Sequence, residues 1–286
     1  MKRLKELVKY CELKIIHGGK CPMLNALSAE YKNKYQIPYN PFTYREKMNQ
    51  AIGIEIANIY QEKAHEPHNK LVKAAYDQLK KEVTDQFMFL MDSENIQYEP
   101  FEGKGEPYAD SYEMLMDIHD YHLYFFKTES GFGESEYTEE NTMLHGTGIM
   151  LGDYELVVND LFRIVHDIFG HAMDGNGFGP IGEDKAWFCH LNMFTPLAAA
   201  ALSMETRGQN CWVNFGSHMR NAHGELYTRN DKNWLSPGER PFAEQKMNLL
   251  PSYITGIDVY EEGKTVKARN VKVWDPIQSV LLTTAS

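Results

Sequence analysis

The chain has 286 residues, 43% of them hydrophobic and 24% charged, with a formal net charge of −11. That length and composition suit one large domain over residues 1–286, or two tightly joined ones, and exclude a globally disordered chain. The acidic balance argues against broad electrostatic binding to nucleic acid, and no run approaches the roughly 18 apolar residues of a membrane-spanning helix.

In chain order, "MKRLKELVKYCELKII" interleaves charges with apolar residues. It therefore lacks the apolar core of a secretory signal and reads as an amphipathic helix packed on the domain. Residues 1–40 are accordingly expected to form an N-terminal helix and an extended arm. "FTYREKMNQAIGIEIANIYQEKA" and "NKLVKAAYDQLKKEVTDQFMFLMD" carry helical apolar spacing. "IQYEPFEG" and "HLYFFKT" read as short strands, and the polar, glycine-rich stretch from Glu129 to Gly152 as a loop or lid. A helix follows from about Asp153 to Gly170. Another starts near Glu183 and is interrupted at Thr195-Pro196, where threonine suits an N-cap and proline the first position of a new helix. The C-terminal segment, 256–286, holds β-rich runs either side of "EEGK" and reads as a hairpin and tail. The fold class expected is mainly α with small β elements, α+β. The four cysteines, Cys11, Cys21, Cys189 and Cys211, form no CxxC pair. They read as reduced thiols of a cytoplasmic protein.

The segment richest in chemistry is "VHDIFGHAMDGNGFG", with His166 and His171 five residues apart. Zinc-protease helices space their ligand histidines four apart. On a regular α-helix, a spacing of five turns the second ring about 140° away and about 7.5 Å along the axis. The two rings would then converge poorly on one ion. Gly170 offers a way out if it ends the helix in the left-handed region and lets His171 swing back. Two readings stay open on spacing alone: a pair of metal ligands, or a core-edge histidine followed by a histidine at a helix C-terminus. Glu205 favours the first, because a carboxylate near the C-terminal end of an apolar helix is unfavourable without a cation. The cation could be a metal or Arg207. Two imidazoles and one carboxylate leave coordination positions open, which suits non-haem Fe(II) or catalytic zinc.

"HDIFGH" resembles the metal motif of the pterin-dependent aromatic amino acid hydroxylases, and "EQKMNLLPSY" and the hairpin tail are similar to that family in order. The resemblance implies an aromatic-amino-acid-hydroxylase-like catalytic domain. It implies His166, His171 and Glu205 as iron ligands, and Asp167 as a catalytic residue near the metal-bound water and a reduced pterin. Asp167, Arg163, Ala201 and Thr206 depart from the family's residue types, which weakens the expectation of pterin and of an aromatic amino acid. "NDLFRIVHDIFGHA" followed by "ETRGQN" also resembles an uncharacterised group of phage and mobile-element proteins, whose location would be the host cytoplasm.

Arg207 is expected to be catalytic and to face the substrate, with Gln209, Asn210, Trp187 and His190 completing the pocket. Arg207 paired with Glu205, and Trp187 and His190 merely packing, are the structural alternatives. Glu62 and His65 form half of a di-metal helix motif, but Pro67 breaks that helix, so His65 and His68 read as surface or capping residues. His119 and His122 read as structural, and the glycines from Gly175 to Gly182 lack the lysine of a phosphate loop. The function expected is a mononuclear Fe(II) monooxygenase acting on a small molecule with O₂. The alternatives are a zinc hydrolase using the same ligands, and a non-enzymatic phage-type protein with a structural metal. Any self-association is expected through the C-terminal region.

Overall fold

The computed structural model describes residues 20–38, 48–93, 96–103, 105–128 and 140–271. The N-terminal helix expected over 1–16, residues 129–139 of the expected lid, and the tail beyond 271 lie outside the described residues.

Helices dominate the described residues, and three two-stranded sheets accompany them, in agreement with the α+β expectation. In chain order the helices are α1 (Pro22–Lys34), α2 (Gln50–Glu62) and α3 (Lys70–Ser93). Strand β1 (Gln97–Pro100), helix α4 (Ser111–His119) and strand β2 (His122–Phe125) form a unit in which β1 and β2 pair in parallel. Hairpin β3 (Gly146–Leu151) and β4 (Tyr154–Val157) leads into α5 (Val158–His166). Next come α6 (Pro180–Leu191), α7 (Pro196–Ser203), α8 (Gln209–Phe215), the single turn α9 (Ser252–Thr255), and the antiparallel pair β5 (Ile257–Glu262) and β6 (Thr265–Asn270).

The longest helix, α3, sets the frame. Val72, Ala75, Tyr76, Leu79, Val83, Phe87 and Leu90 repeat every three or four residues and are all buried, so one face of α3 is a continuous stripe. That face packs on α5 and α7 in the main core. Gln86 and Glu82 sit on the same stripe and are buried with it, so they need partners inside the protein. Glu82 finds one at the start of α7: its carboxylate accepts from the Thr195 hydroxyl and, at 2.8 Å, from the Thr195 amide. Thr195 thus ends up hydrogen-bonded across to α3, and its side chain makes no cap within its own helix. A second core joins α2, α8, Met204 and the segment around Leu250.

Three expectations change. The extended arm expected within 1–40 holds helix α1, Pro22–Lys34. The stretch read as a loop contains β3, because its glycines build a bulged hairpin. Gly148 (φ +74°) donates its amide to Glu155 Oε1 at 2.9 Å, the register shifts between Gly146 and Met150, and Gly152 (φ +61°) makes the turn. The helix expected from Asp153 begins instead at Val158, after β4. Asp160 marks this start. Its buried carboxylate accepts from the Val157 amide (2.9 Å), the Thr128 amide (2.8 Å) and hydroxyl (2.7 Å), and the Tyr154 hydroxyl (2.9 Å).

Candidate metal centre

The chain does not leave the helix at Gly170. From Asp167 to Ala172 it continues as a π-helix, and Gly170 is absent from the positive-φ residues. A π-helical turn closes its hydrogen bonds between residues five apart, so such residues lie roughly above one another. The five-residue spacing of His166 and His171 is therefore the register of this turn. Their rings meet edge to face with centroids 5.0 Å apart. Gly170 is needed for room: a Cβ there would meet the His166 ring at 2.9 Å and the Ala186 carbonyl oxygen at 3.1 Å.

A third group joins the pair from the first turn of α6. Glu183 Oε2 lies 3.4 Å from His171 Nε2. His166, His171 and Glu183 each offer a ligand atom within 4.8 Å of the other two. Both histidines are buried and Glu183 is half-buried. Pro180 starts α6 after the turns of 173–179, and α6 packs on the π-helix. That packing, which no local spacing encodes, makes Glu183 the carboxylate of the cluster. Its acidity near a helix start has a ready structural explanation, so sequence reading passed over it.

Glu205 has other partners and is not a member of this group. It lies in a second π-helical turn, Met204–Gly208. Its Oε1 accepts from the Tyr76 hydroxyl at 2.5 Å and its Oε2 from Gln209 Nε2 at 2.7 Å. Burial pushes its carboxyl up to about 7 against those two donors. Arg207 does not neutralise it. The guanidinium donates from Nε to Asp184 Oδ1 at 2.8 Å and from Nη1 to the Ile254 carbonyl at 2.7 Å, and lies 4.3 Å from the Trp187 ring centroid.

The other residues expected to line a pocket are also tied into the fold. Trp187 donates to Ser203 Oγ at 2.9 Å, and Gln209 bridges Glu205 and Gln245. Asn210 donates to the Pro180 carbonyl at 3.0 Å, next to the start of α6. His190 is fully buried, 3.0 Å from His166 through their Nδ1 atoms and 2.9 Å from Gln86 Oε1 through Nε2. Trp187 and His190 are buried, and Arg207, Gln209 and Asn210 are half-buried.

His65 Nδ1 accepts from the Met247 amide at 3.0 Å, and the exposed His68 pairs with Glu140. His122 pairs with Asp117 at 2.6 Å and with Glu99. Cys21 and Cys211 are buried; Cys189 is half-buried and its thiol donates to Asp174.

Glu183 favours positive charge on His171 within the cluster. Burial pulls His171 down, but the charge and hydrogen bond of Glu183, with Asp167 and the Asn176 carbonyl, more than offset it and push His171 up to about 9. Burial, with the neighbouring His171 and His190, holds His166 well below the usual histidine range. Asp167 follows His166 directly. Burial pushes its carboxyl up to about 7, with Glu183 adding to the rise and His171 and Arg163 opposing it. His171 Nδ1 lies 3.1 Å from the Asn176 carbonyl oxygen, an acceptor only, so that nitrogen carries the proton. Nε2 then faces Glu183; it carries the second proton while His171 is charged, and can bind a metal once that proton leaves. The half-exposed ring of Phe178 stands edge-on to His171, with centroids 5.0 Å apart.

Comparison of the chain with protein families, with curated proteins and with solved structures finds no match.

Proposed function

We propose that the protein is a mononuclear metalloenzyme whose ion is held by His166, His171 and Glu183, and that it acts as a non-haem Fe(II) oxygenase on a small molecule. One observation carries the reading: two buried histidines and a carboxylate offer ligand atoms within 4.8 Å of one another. A two-histidine, one-carboxylate set with open positions is the ligand chemistry of non-haem Fe(II) oxygenases. The donor set fits a divalent ion, because Glu183 already draws positive charge to His171 Nε2. When bound, Fe(II) would supply O₂ activation at its open positions. The protein's part is to hold three ligands on two packed helices, to shield them behind Phe178, and to place Asp167 where it can take or give a proton. A reduced pterin as electron donor rests on the family resemblance alone.

A zinc hydrolase is the second reading. One feature favours it: Asp167, beside a ligand and with its carboxyl near neutrality, has the character of a general base toward a metal-bound water. A purely structural metal fits less well, since structural zinc sites close with four protein ligands.

The test is anaerobic loading with Fe(II) followed by nitric oxide. The expected result is a high-spin iron–nitrosyl signal that is lost with the iron in His166→Ala, His171→Ala and Glu183→Ala but kept in Glu205→Ala. Loss in Glu205→Ala with retention in Glu183→Ala would restore Glu205 as the third ligand. Tight zinc binding with no nitrosyl signal, together with metal-dependent hydrolysis of an ester, amide or phosphate, would overturn the oxygenase reading in favour of the hydrolase.

A further inference from the structure

Behind His166 runs a chain of buried polar groups that the ligand set does not use. His166 Nδ1 lies 3.0 Å from His190 Nδ1. His190 Nε2 lies 2.9 Å from Gln86 Oε1, and Gln86 Nε2 donates to the Met193 carbonyl at 3.2 Å. His190 and Gln86 are fully buried and His166 is nearly so. The three residues come from α5, α6 and α3, so no local spacing connects them.

The far end of the chain fixes every proton in it. A backbone carbonyl only accepts, so the Gln86 amide nitrogen points at Met193 and its oxygen faces His190. That oxygen also only accepts, so His190 carries its proton on Nε2 and leaves Nδ1 bare. Bare Nδ1 must then receive the proton of His166 Nδ1. His166 is left with an unprotonated Nε2, the form in which an imidazole binds a metal. The opposite assignment would set two lone pairs against each other at one of the two buried contacts, at the cost of an unsatisfied polar group.

We propose that Gln86 and His190 form a positioning relay that sets the tautomer and ring orientation of His166, so that its Nε2 is presented to the metal. The proposal rests on the metal-centre reading and adds residues that touch neither ion nor substrate. His171 has a one-step version of the same device, its Nδ1 lying 3.1 Å from the Asn176 carbonyl. His166 reaches its fixed acceptor, the Met193 carbonyl in the α6–α7 connection, through two further side chains, one of them on α3.

The test uses the full chain with Co(II) as the probe, read by its visible spectrum and by competitive titration. In parallel, ¹⁵N-labelled histidine NMR on the metal-free protein reads the tautomer of His166. Wild type is expected to show a protonated Nδ1 and a bare Nε2 on His166 and to bind Co(II). Gln86→Leu and His190→Leu remove an acceptor and are expected to lower Co(II) affinity about 10- to 100-fold, with a mixed or reversed tautomer. His190→Asn, which offers its side-chain oxygen near the position of Nδ1, is expected to recover much of the loss. If His190→Leu fails to fold, Gln86→Leu, which changes no group in contact with a ligand, carries the comparison. Unchanged affinity, spectrum and tautomer in folded Gln86→Leu would overturn the relay while leaving the metal centre standing. Absence of Co(II) binding in wild type would instead overturn the metal-centre reading, and the tautomer measurement would then judge the relay alone.

Discussion

Gly170 shows how a single residue serves the site through what it lacks. The His166 ring lies so close that any Cβ at 170 would meet it at 2.9 Å, and the Ala186 carbonyl closes the other side at 3.1 Å. Backbone cannot move aside as a flexible side chain would, and His166 is held by His190. Gly170→Ala is therefore expected to cost roughly 1–3 kcal/mol and to weaken metal binding, read by urea unfolding and by metal titration of the same variant. Glu205 makes a different argument at the same scale. Its carboxyl stands at about 7 in the folded protein, above its ordinary value, because of burial. A carboxyl of this kind holds its proton better when folded, so its contribution to stability is present at low pH and is lost as pH rises through about 7. In metal-free protein, wild type is expected to lose stability relative to Glu205→Gln between about pH 5 and about pH 8. Parallel profiles for the two proteins would show that Glu205 titrates normally.

At the scale of elements, the π-helical turn over Asp167–Ala172 decides whether the two histidines meet. π-turns are rare and tend to mark functional positions. This one continues α5, so the start of α5 fixes the rotation of everything after it. Asp160 secures that start by accepting four hydrogen bonds. Asp160→Ala would leave the buried Thr128 amide unpaired and is expected to destabilise the protein by roughly 3 kcal/mol. Urea unfolding with an unchanged m-value would check this, and a loss below about 0.5 kcal/mol would show that water replaces the carboxylate. Much at this scale was legible in the sequence: the periodic stripe of α3, the Thr195-Pro196 break before α7, and the turn between β5 and β6. The π-turn was not, because a spacing of five histidine to histidine fits equally a helix that ends or a helix that widens. The glycines of 146–152 misled in the same way, since a bulged hairpin and a loop share their composition.

For the whole molecule, the proposed metal centre would tie the end of α5 to α6. An ion bound there acts as a cross-link that exists only in the folded state. With free metal at about 100 times its Kd, the folded state should gain about 2.7 kcal/mol. Stripping the protein with a chelator is thus expected to lower Tm, and adding back Fe(II) or Zn(II) to restore it. Glu183→Gln is expected to abolish that metal-dependent rise. An equal rise in Glu183→Gln would count against Glu183 as a ligand.

The sequence by itself determined the helical character of the chain, the apolar faces that build its core, and the histidine pair with its close-lying carboxylates. These depend on periodicity and local spacing, which a linear order of residues carries in full. Only the tertiary structure decided which carboxylate joins the histidines. Glu183 and Glu205 both follow His171 on later helices, and what separates them is how α6 packs on the π-turn and how α3 presents Tyr76. The same packing placed Asp184 against Arg207, and Gln86 and His190 behind His166. Such pairings are fixed by contacts between helices far apart in sequence, and a buried polar residue shows its partner only when the core around it has closed.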